Sequence, residues 1–462
     1  MAGTTQLFIA STLYGVLNLA AAIDSDQFGG QDRDQRADGR RSPVRRLLVI
    51  SNNASLPEIS PSPAEMPGFD LLAKRFDRVL SYNEVIAPFH PSAWNPRPID
   101  TPILQRHLRT VWDLGSDDIH LVVESLQVNP AQTICRLFPD ARIDVYADGL
   151  MSYGPTRNAI APLIGTRLGR LLYAELVPGM QPLLLDEWAI TPSVIPTAAI
   201  RQTIAELPDN RDPGSFPGAE DGEPVAVLLG QYLSALGILS QQEEEELHRQ
   251  MLIGAIRRGH RKLIFKPHPN APRELATAIR AEADRRNVDL QVLTDPSLVE
   301  TLYVRLPVAA VFGCFSTALM TAATFFKIPT YRVGTELILE RLSPYHNSNR
   351  IPVTIIDALI PDAEPAGATT SAEVVKQPTL PIDLMPELIT AVSYVMQPQL
   401  QHRARERAQL FLHTHYDDYY RYFRRRRLSR LGLLADPPDR SLTPRRILGR
   451  LRRRVRRVVA RG

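Results

Sequence analysis

The chain has 462 residues, of which 44% are hydrophobic and 23% charged, and its formal net charge is +4. That length exceeds one ordinary domain, and the composition excludes a disordered or membrane-spanning class. Its two cysteines, Cys135 and Cys314, lie far apart inside apolar stretches, so they read as buried thiols rather than a disulfide framework or a zinc site.

The first apolar run, Leu7 to Ile23, has no Lys or Arg before it and is interrupted by Ser11, Thr12 and Asn18. It reads as a strand (LFIAS), a loop at Tyr14-Gly15 and a helix, not as a secretion signal or membrane span. Strand-like runs follow at LLVIS, RVLSY, IHLVVES and IDVYAD with helical stretches between them, which is the rhythm of βαβ units. Tyr14, Gly15 and the pair Asn52-Asn53 after LLVIS are loop or acceptor-side candidates. The pattern stops at Leu207 to Glu223, a stretch rich in Pro, Gly and acid that suits an interdomain linker.

A second series runs through PVAVLLGQYL, a Glu-rich helix from Gln241 to Arg258, KLIFKPHPN, a helix through Arg286, and LQVLT. It ends with AAVFGCFSTALMTAATFFKIPTYRVG, read as strand, turn, helix, strand. The expected architecture is α/β, of the GT-B type. Two Rossmann-like doubly wound domains, over 1–206 and 224–400, flank a cleft at the carboxyl ends of their strands. A helical tail over 401–462 completes it. No GxGxxG or Walker-type loop points to a dinucleotide or NTPase site.

Charge is distributed unevenly. From Arg421 to Gly462 there are sixteen Arg and two Asp, or +14, which leaves −10 for the rest of the chain. From Thr443 onward, Ile447, Leu448, Leu451, Val455, Val458 and Val459 fall on one helical stripe among arginines. Such a segment is expected to dock on an anionic membrane surface, the cytoplasmic inner face, with packing on the acidic body as the competing reading. The body resembles no RNA- or DNA-reading module, so no nucleic-acid partner is expected.

Three segments at strand ends can carry chemistry. After IDVY comes Asp148, an acid able to act as general base or to cap the next turn, and Gly149, which permits a sharp exit turn, Asp-Gly being a common turn pair. After KLIF comes Lys266-Pro267-His268-Pro269, where two prolines stiffen the loop presenting the imidazole. An imidazole N–H beside a Lys suits a departing phosphate, and a loop histidine satisfied by nearby carbonyls is the alternative. Ser316-Thr317 open a helical stretch and form either an anion site or an ordinary N-cap. Gly230, Gln231 and Tyr232 follow a strand facing the same cleft.

The order of acid, His-Pro and hydroxyl motifs resembles the bacterial sialyltransferases. The segments QLFIASTLYG, LLVISNN, YADGLMSYG, LLGQYL, FKPHPN and FSTALM resemble the polysialyltransferase-like family from about Gln6 to Val333. That family's motif has two acids before glycine, where this chain has Ala147-Asp148-Gly149. The resemblance implies transfer of a sialic or related nonulosonic acid from its CMP-activated form to a glycan hydroxyl, without metal or other cofactor. It gives Asp148 the base role, His268 the leaving group, and Ser316 and Thr317 the donor phosphate, with Lys266, Pro269, Gly230, Gln231 and Tyr232 as further donor-side candidates. A Kdo-type or CDP-glycerol donor is the rival, although Ala318 to Ala323 lacks the acid that follows the paired serines of glycerophosphate polymerases. A non-catalytic protein binding anionic surfaces is the rival from another class.

Overall fold

A computed structural model describes residues 3–29, 34–35, 41–42, 44–207, 223–268, 271, 273–363 and 380–434. Pro269, most of the expected linker and the expected amphipathic helix from Thr443 lie outside the described residues.

Seven strands build the first sheet: β1 (Thr4–Ala10), β2 (Val44–Ile50), β3 (Arg78–Ser81), β4 (Asp118–Glu124), β5 (Arg142–Ala147), β6 (Leu168–Ala174) and β7 (Thr191–Ile195). Five build the second: β8 (Val225–Leu229), β9 (Lys262–Lys266), β10 (Asp289–Val292), β11 (Val308–Gly313) and β12 (Thr330–Arg332). Their orders are β3-β2-β1-β4-β5-β6-β7 and β10-β9-β8-β11-β12. Every pairing within the two sheets is parallel. In each, the domain's first strand is interior and the order reverses beside it, as in a Rossmann fold. Two such sheets in succession are the GT-B arrangement.

The central strands are apolar on both faces because helices cover both faces of a parallel sheet. Phe8 of β1 lies opposite Leu48 and Val122 on the neighbouring strands, and all three are fully buried. Helix α1 (Leu13–Asp24) follows β1 directly, capped by Thr12, whose hydroxyl accepts from the Gly15 N–H at 2.9 Å. Tyr14 and Gly15 therefore form its first turn and not a loop. The apolar composition of α1 reflects burial from Leu13 to Ile23, with Tyr14 half-buried. Among the described residues no helix is long and apolar enough to cross a membrane. Strands β6 and β7 extend the sheet past the five strands that the apolar runs mark. Their apolar pattern is weak: β6 opens with Leu-Gly-Arg, and β7 carries Pro192, which an edge strand tolerates.

In the second domain, α2 (Gln241–Arg257) follows β8 and α3 (Thr317–Phe325) follows β11. Helix α4 (Arg350–Leu359) packs on the short turn Leu150–Tyr153 of the first domain. The Thr324 hydroxyl donates to the Leu176 carbonyl at 2.8 Å, and Arg305 donates to the Leu207 carbonyl at 2.8 Å.

Helices α5 (Met385–Met396), α6 (Arg405–Tyr419) and α7 (Arg425–Arg430) close the described chain. Buried Asp357 of α4 accepts from the Thr335 hydroxyl at 2.6 Å and the Tyr422 hydroxyl at 2.8 Å, and pairs with Arg332 and Arg421 at 3.1 and 2.9 Å. Arg427 donates to the carbonyls of Val395 and Met396, satisfying the end of α5, and Arg424 donates to that of Leu342. Three arginines of the charged run are thus bound into the fold. A chain ending at Leu434 keeps these groups, and one ending at Tyr420 loses them together with buried Tyr422, Phe423 and Leu428. Each such apolar side chain contributes roughly 1.5–3 kcal/mol. Thermal melts should therefore place the shorter chain at least several degrees below the longer one, and equal melting would refute this docking.

Candidate functional site

The order of the first sheet reverses between β1 and β4, and that of the second between β8 and β11. Ligands of open α/β sheets bind outside the carboxyl ends of strands at such points. The residues leaving those strands and their neighbours are Ser11-Thr12, Ser125, Asp148-Gly149, Gly230 to Tyr232, His268 and Cys314 to Thr317.

Asp148 directly follows β5 and is half-buried, with the Thr12 hydroxyl 3.5 Å from its Oδ2. Burial raises its carboxyl above the ordinary range. Beside it, the last residue of β4 is Glu124, which accepts from the Ser11 N–H at 3.2 Å and from the Ser11 hydroxyl at 2.6 Å. Burial, and then the charge of Asp148, push Glu124 up to about 7. The strand IHLVVE gives no local reason to single out this glutamate. Its signal is positional, as a polar residue at the carboxyl end of the strand where the order reverses.

Gly149 is extended, with φ −148° and ψ 176°, a conformation open to any residue. The backbone here thus needs no glycine for a sharp exit turn, and what glycine supplies is clearance. A Cβ on Gly149 would lie 3.0 Å from the Thr317 hydroxyl of the second domain. The acid loop of one sheet thus meets the hydroxyl motif of the other. Gly15 serves a similar purpose, since a Cβ there would lie 3.0 Å from the Tyr146 hydroxyl, which donates to the Ile9 carbonyl at 3.0 Å. Tyr14 lies beside Asn18 and, across the domain boundary, Thr321. Burial and the carboxylates of Glu300 and Asp148 hold its phenol far above the ordinary value. Glu300, itself buried and pushed up to about 7 by burial, is a second acid that the sequence does not reveal.

Asn52 and Asn53 serve their own loop. Asn52 donates to the carbonyls of Pro57 and Ser60 and accepts from the Ala54 N–H, while Asn53 accepts from the Ser51 hydroxyl.

In the second domain, the imidazole of His268 stacks on Tyr232 with ring centroids 3.9 Å apart. Burial pushes His268 down to about 4, against the pull of Glu244, so the ring is neutral near pH 7. Gly230 leaves no room for a side chain, because a Cβ would lie 2.9 Å from the Pro267 Cα. Its N–H donates to the Lys266 carbonyl at 2.9 Å, tying the two loops together. The Gln231 N–H donates to Nε2 of buried His248 at 3.1 Å. Fully buried Glu244 accepts from the N–H groups of Leu233 and Ser234 and from the Ser234 hydroxyl. The Glu-rich helix α2 therefore sends Glu244 and His248 inward to fix the Gly230–Tyr232 turn. Lys266 is buried with its ammonium bound to the carboxylate and carbonyl of Asp295. Ser316 is the N-cap of α3, accepting from the Ala318 N–H at 3.3 Å.

A cavity of about 500 Å³ opens between the domains beside this seam, lined among others by Arg157, Asn158, Leu236, His346, Ser348 and Gln397. Arg157 donates to the Ser348 hydroxyl at 3.2 Å, and Gln397 donates to the Arg157 carbonyl at 3.0 Å. Among the described residues, no group of three or more His, Cys, Asp or Glu is placed to hold a metal ion.

A sequence model of the family described as alpha-2,8-polysialyltransferase matches residues 6–335. No curated protein matches the chain. The chain is similar to the solved structure of a sialyltransferase from Photobacterium damselae, residues 113–497 corresponding to its GT-B domain. Identity is 12% over 76% of this chain and 96% of that one, with a TM-score of 0.42. It is also similar to the UDP-GlcNAc 2-epimerase of Methanocaldococcus jannaschii, at 10% identity over 85% and 100% of the two chains and a TM-score of 0.43. A third is MurG of Acinetobacter baumannii, at 12% identity over 88% and 99% and a TM-score of 0.37. These likenesses are distant, and the fold assignment rests on the strand orders and pairings described above.

The seam is open to a direct test. Gly149→Ala places a methyl against the Thr317 hydroxyl without backbone strain, so Thr317 or the domain contact must give way. Gly149→Ala alone should lower the melting temperature, and Thr317→Ala in the same chain should recover part of the loss. Additive effects in that double-mutant cycle would mean that the two residues do not touch.

Proposed function

Because the chain belongs to the alpha-2,8-polysialyltransferase family, we propose that this glycosyltransferase moves a sialic or related nonulosonic acid, with inversion, from its CMP-activated form to a glycan hydroxyl. The observation that carries the reading is the 3.0 Å approach between the position of a Gly149 Cβ and the Thr317 hydroxyl. It brings the loop that carries Asp148 against the N-terminal end of α3.

Asp148 takes the proton of the acceptor hydroxyl, whose oxygen bonds to the anomeric carbon. The bond from that carbon to the phosphate oxygen breaks, and CMP leaves with the electron pair. Neutral His268, stacked on Tyr232, donates a ring N–H to the phosphate as its charge grows. Thr317 and the first N–H groups of α3 face the same anion. The acceptor glycan occupies the cavity beside the seam, with Arg157 as its cation. This scheme needs no metal.

Asp148→Asn and His268→Ala should each lower acceptor-dependent release of CMP by roughly 10²–10³ while melting within a few degrees of the parent chain. Near-normal turnover of either variant would remove its assigned role. Turnover with CMP-Kdo or CDP-glycerol, and none with a CMP-nonulosonic acid, would replace the donor.

The basic C-terminal segment holds the enzyme at an anionic membrane surface. Co-sedimentation with liposomes should rise with anionic lipid, fall with salt, and be lost when the chain ends at Leu434, which retains the arginines that the fold uses. Undiminished binding of that shorter chain would move the contact elsewhere.

A further inference from the structure

The residue before Asp148 is Ala147, so the acid loop itself brings one carboxylate to the cleft. A second arrives from the neighbouring strand. Glu124 ends β4, β5 pairs with β4 so that Glu124 lies opposite Tyr146, and Asp148 stands two residues beyond Tyr146. Two consecutive residues at the exit of β1 reach the two acids. Ser11 binds Glu124 through its N–H and its hydroxyl, and the hydroxyl of Thr12 lies 3.5 Å from Asp148. Such double anchoring fixes Glu124 more firmly than a lone surface carboxylate needs, at the point where the order of the sheet reverses.

We propose that Glu124 acts through Asp148 as a positioning residue, the proton taken from the acceptor hydroxyl by Asp148 being held between the two carboxylates. The inference rests on the transferase reading above. In the step, the hydroxyl O–H bond breaks and its proton goes to the carboxylate pair. The freed oxygen pair bonds the anomeric carbon, and CMP departs with the electrons of the broken carbon–oxygen bond. Two carboxylates in one partly dry site bind the first proton more tightly than either does alone, which brings a base closer to the neutral pH at which it must work. The directions agree: burial raises Asp148, and burial followed by the Asp148 charge raises Glu124.

Other groups face the pair. Tyr146 of β5 feels both carboxylates, and Tyr14 of α1 feels Asp148; both phenols are pushed well above their ordinary value and stay neutral. Ser11 and Thr12 do not titrate. Glu300, which meets Tyr14 from the second domain and has Lys266 nearby, is the other acid raised to about 7, so Glu300→Gln is the control.

The test is the pH dependence of kcat for acceptor-dependent CMP release by the full chain, with Glu124→Gln, which preserves an acceptor for Ser11. Activity of the parent chain should rise with pH as the pair ionises. In Glu124→Gln the neighbouring charge is gone, so Asp148 loses its proton more easily. The acid limb should move to lower pH, the plateau should fall ~10-fold or more, and the donor KM should change less than about twofold. A limb that stays in place, or one that moves only with Glu300→Gln, overturns the proposal. Carboxyl carbon NMR of the labelled full chain, without substrate, separates this inference from the reading beneath it. Asp148→Asn should lower the pH at which Glu124 titrates, whatever the donor proves to be. Failure of every CMP-nonulosonic acid to react would end the transferase reading as stated, while independent titration of Glu124 would end the pairing.

Discussion

Gly154 leaves no room for a side chain, since a Cβ there would lie 2.6 Å from the Ile351 Cγ1 of α4, and Gly149 comes nearly as close to Thr317 of α3. These two glycines, five residues apart on the loop leaving β5, let the first domain press backbone against the second. Close packing of this kind tolerates little displacement, because each added methyl forces a shift in what it meets. The rest of the cleft follows from that contact. Asp148 lies immediately before one glycine, and the cavity lined by Arg157 opens just beyond the other.

Burial at and beneath the strand ends shifts several acids and histidines away from their ordinary values. Burial is the largest cause in every case: it pushes Glu124 and Glu300 up to about 7, and His248 and His268 down to about 4. The consequences for stability have opposite signs. An acid raised above its unfolded value destabilises the fold as pH rises from about 4.5 through 7, where the unfolded chain releases a proton that the folded chain retains. A histidine lowered below its unfolded value destabilises as pH falls from about 6.5 through 4, where the unfolded chain gains a proton that the folded chain refuses. Near neutral pH His248 and His268 are therefore neutral and Glu124 and Glu300 part-protonated, a mixture suited to proton transfer and neutral hydrogen-bond donation.

The strand ends were readable because the strands are continuous apolar runs, and a polar residue after such a run stands out. Asp148, His268 and Ser316-Thr317 stand out in that way, and all follow the carboxyl ends of strands. What the pattern could not supply was adjacency. Ser11 and Glu124 are 113 positions apart, and only the pairing of β1 with β4 brings them together. The same limit hid Glu244 and His248, which read as part of a solvated Glu-rich face until the Gly230–Tyr232 turn is seen lying over them. Lys266 stands two residues before His268, and the partner that its position in the sequence does not reveal is Asp295, which binds its ammonium. Asp-Gly suggests a turn former, but the glycine's backbone is extended and what it supplies is clearance for the nearby Thr317 hydroxyl.

The arginine-rich end of the chain divides into charges that the fold uses and charges that it leaves outside. Arg421 pairs with Asp357, Arg424 and Arg427 satisfy carbonyls at helix ends, and Arg425, Arg426 and Arg430 are exposed. Counting every arginine from Arg421 as available to a surface therefore overstates the tail. The inward set has a second effect, because Asp357 sits on α4, the helix that also carries Ile351 to the Gly154 contact. Tyr422 and Arg421 fix Asp357, Asp357 fixes α4, and α4 forms the wall against which the acid loop closes. The first turns of the basic segment are thus part of the support of the cleft.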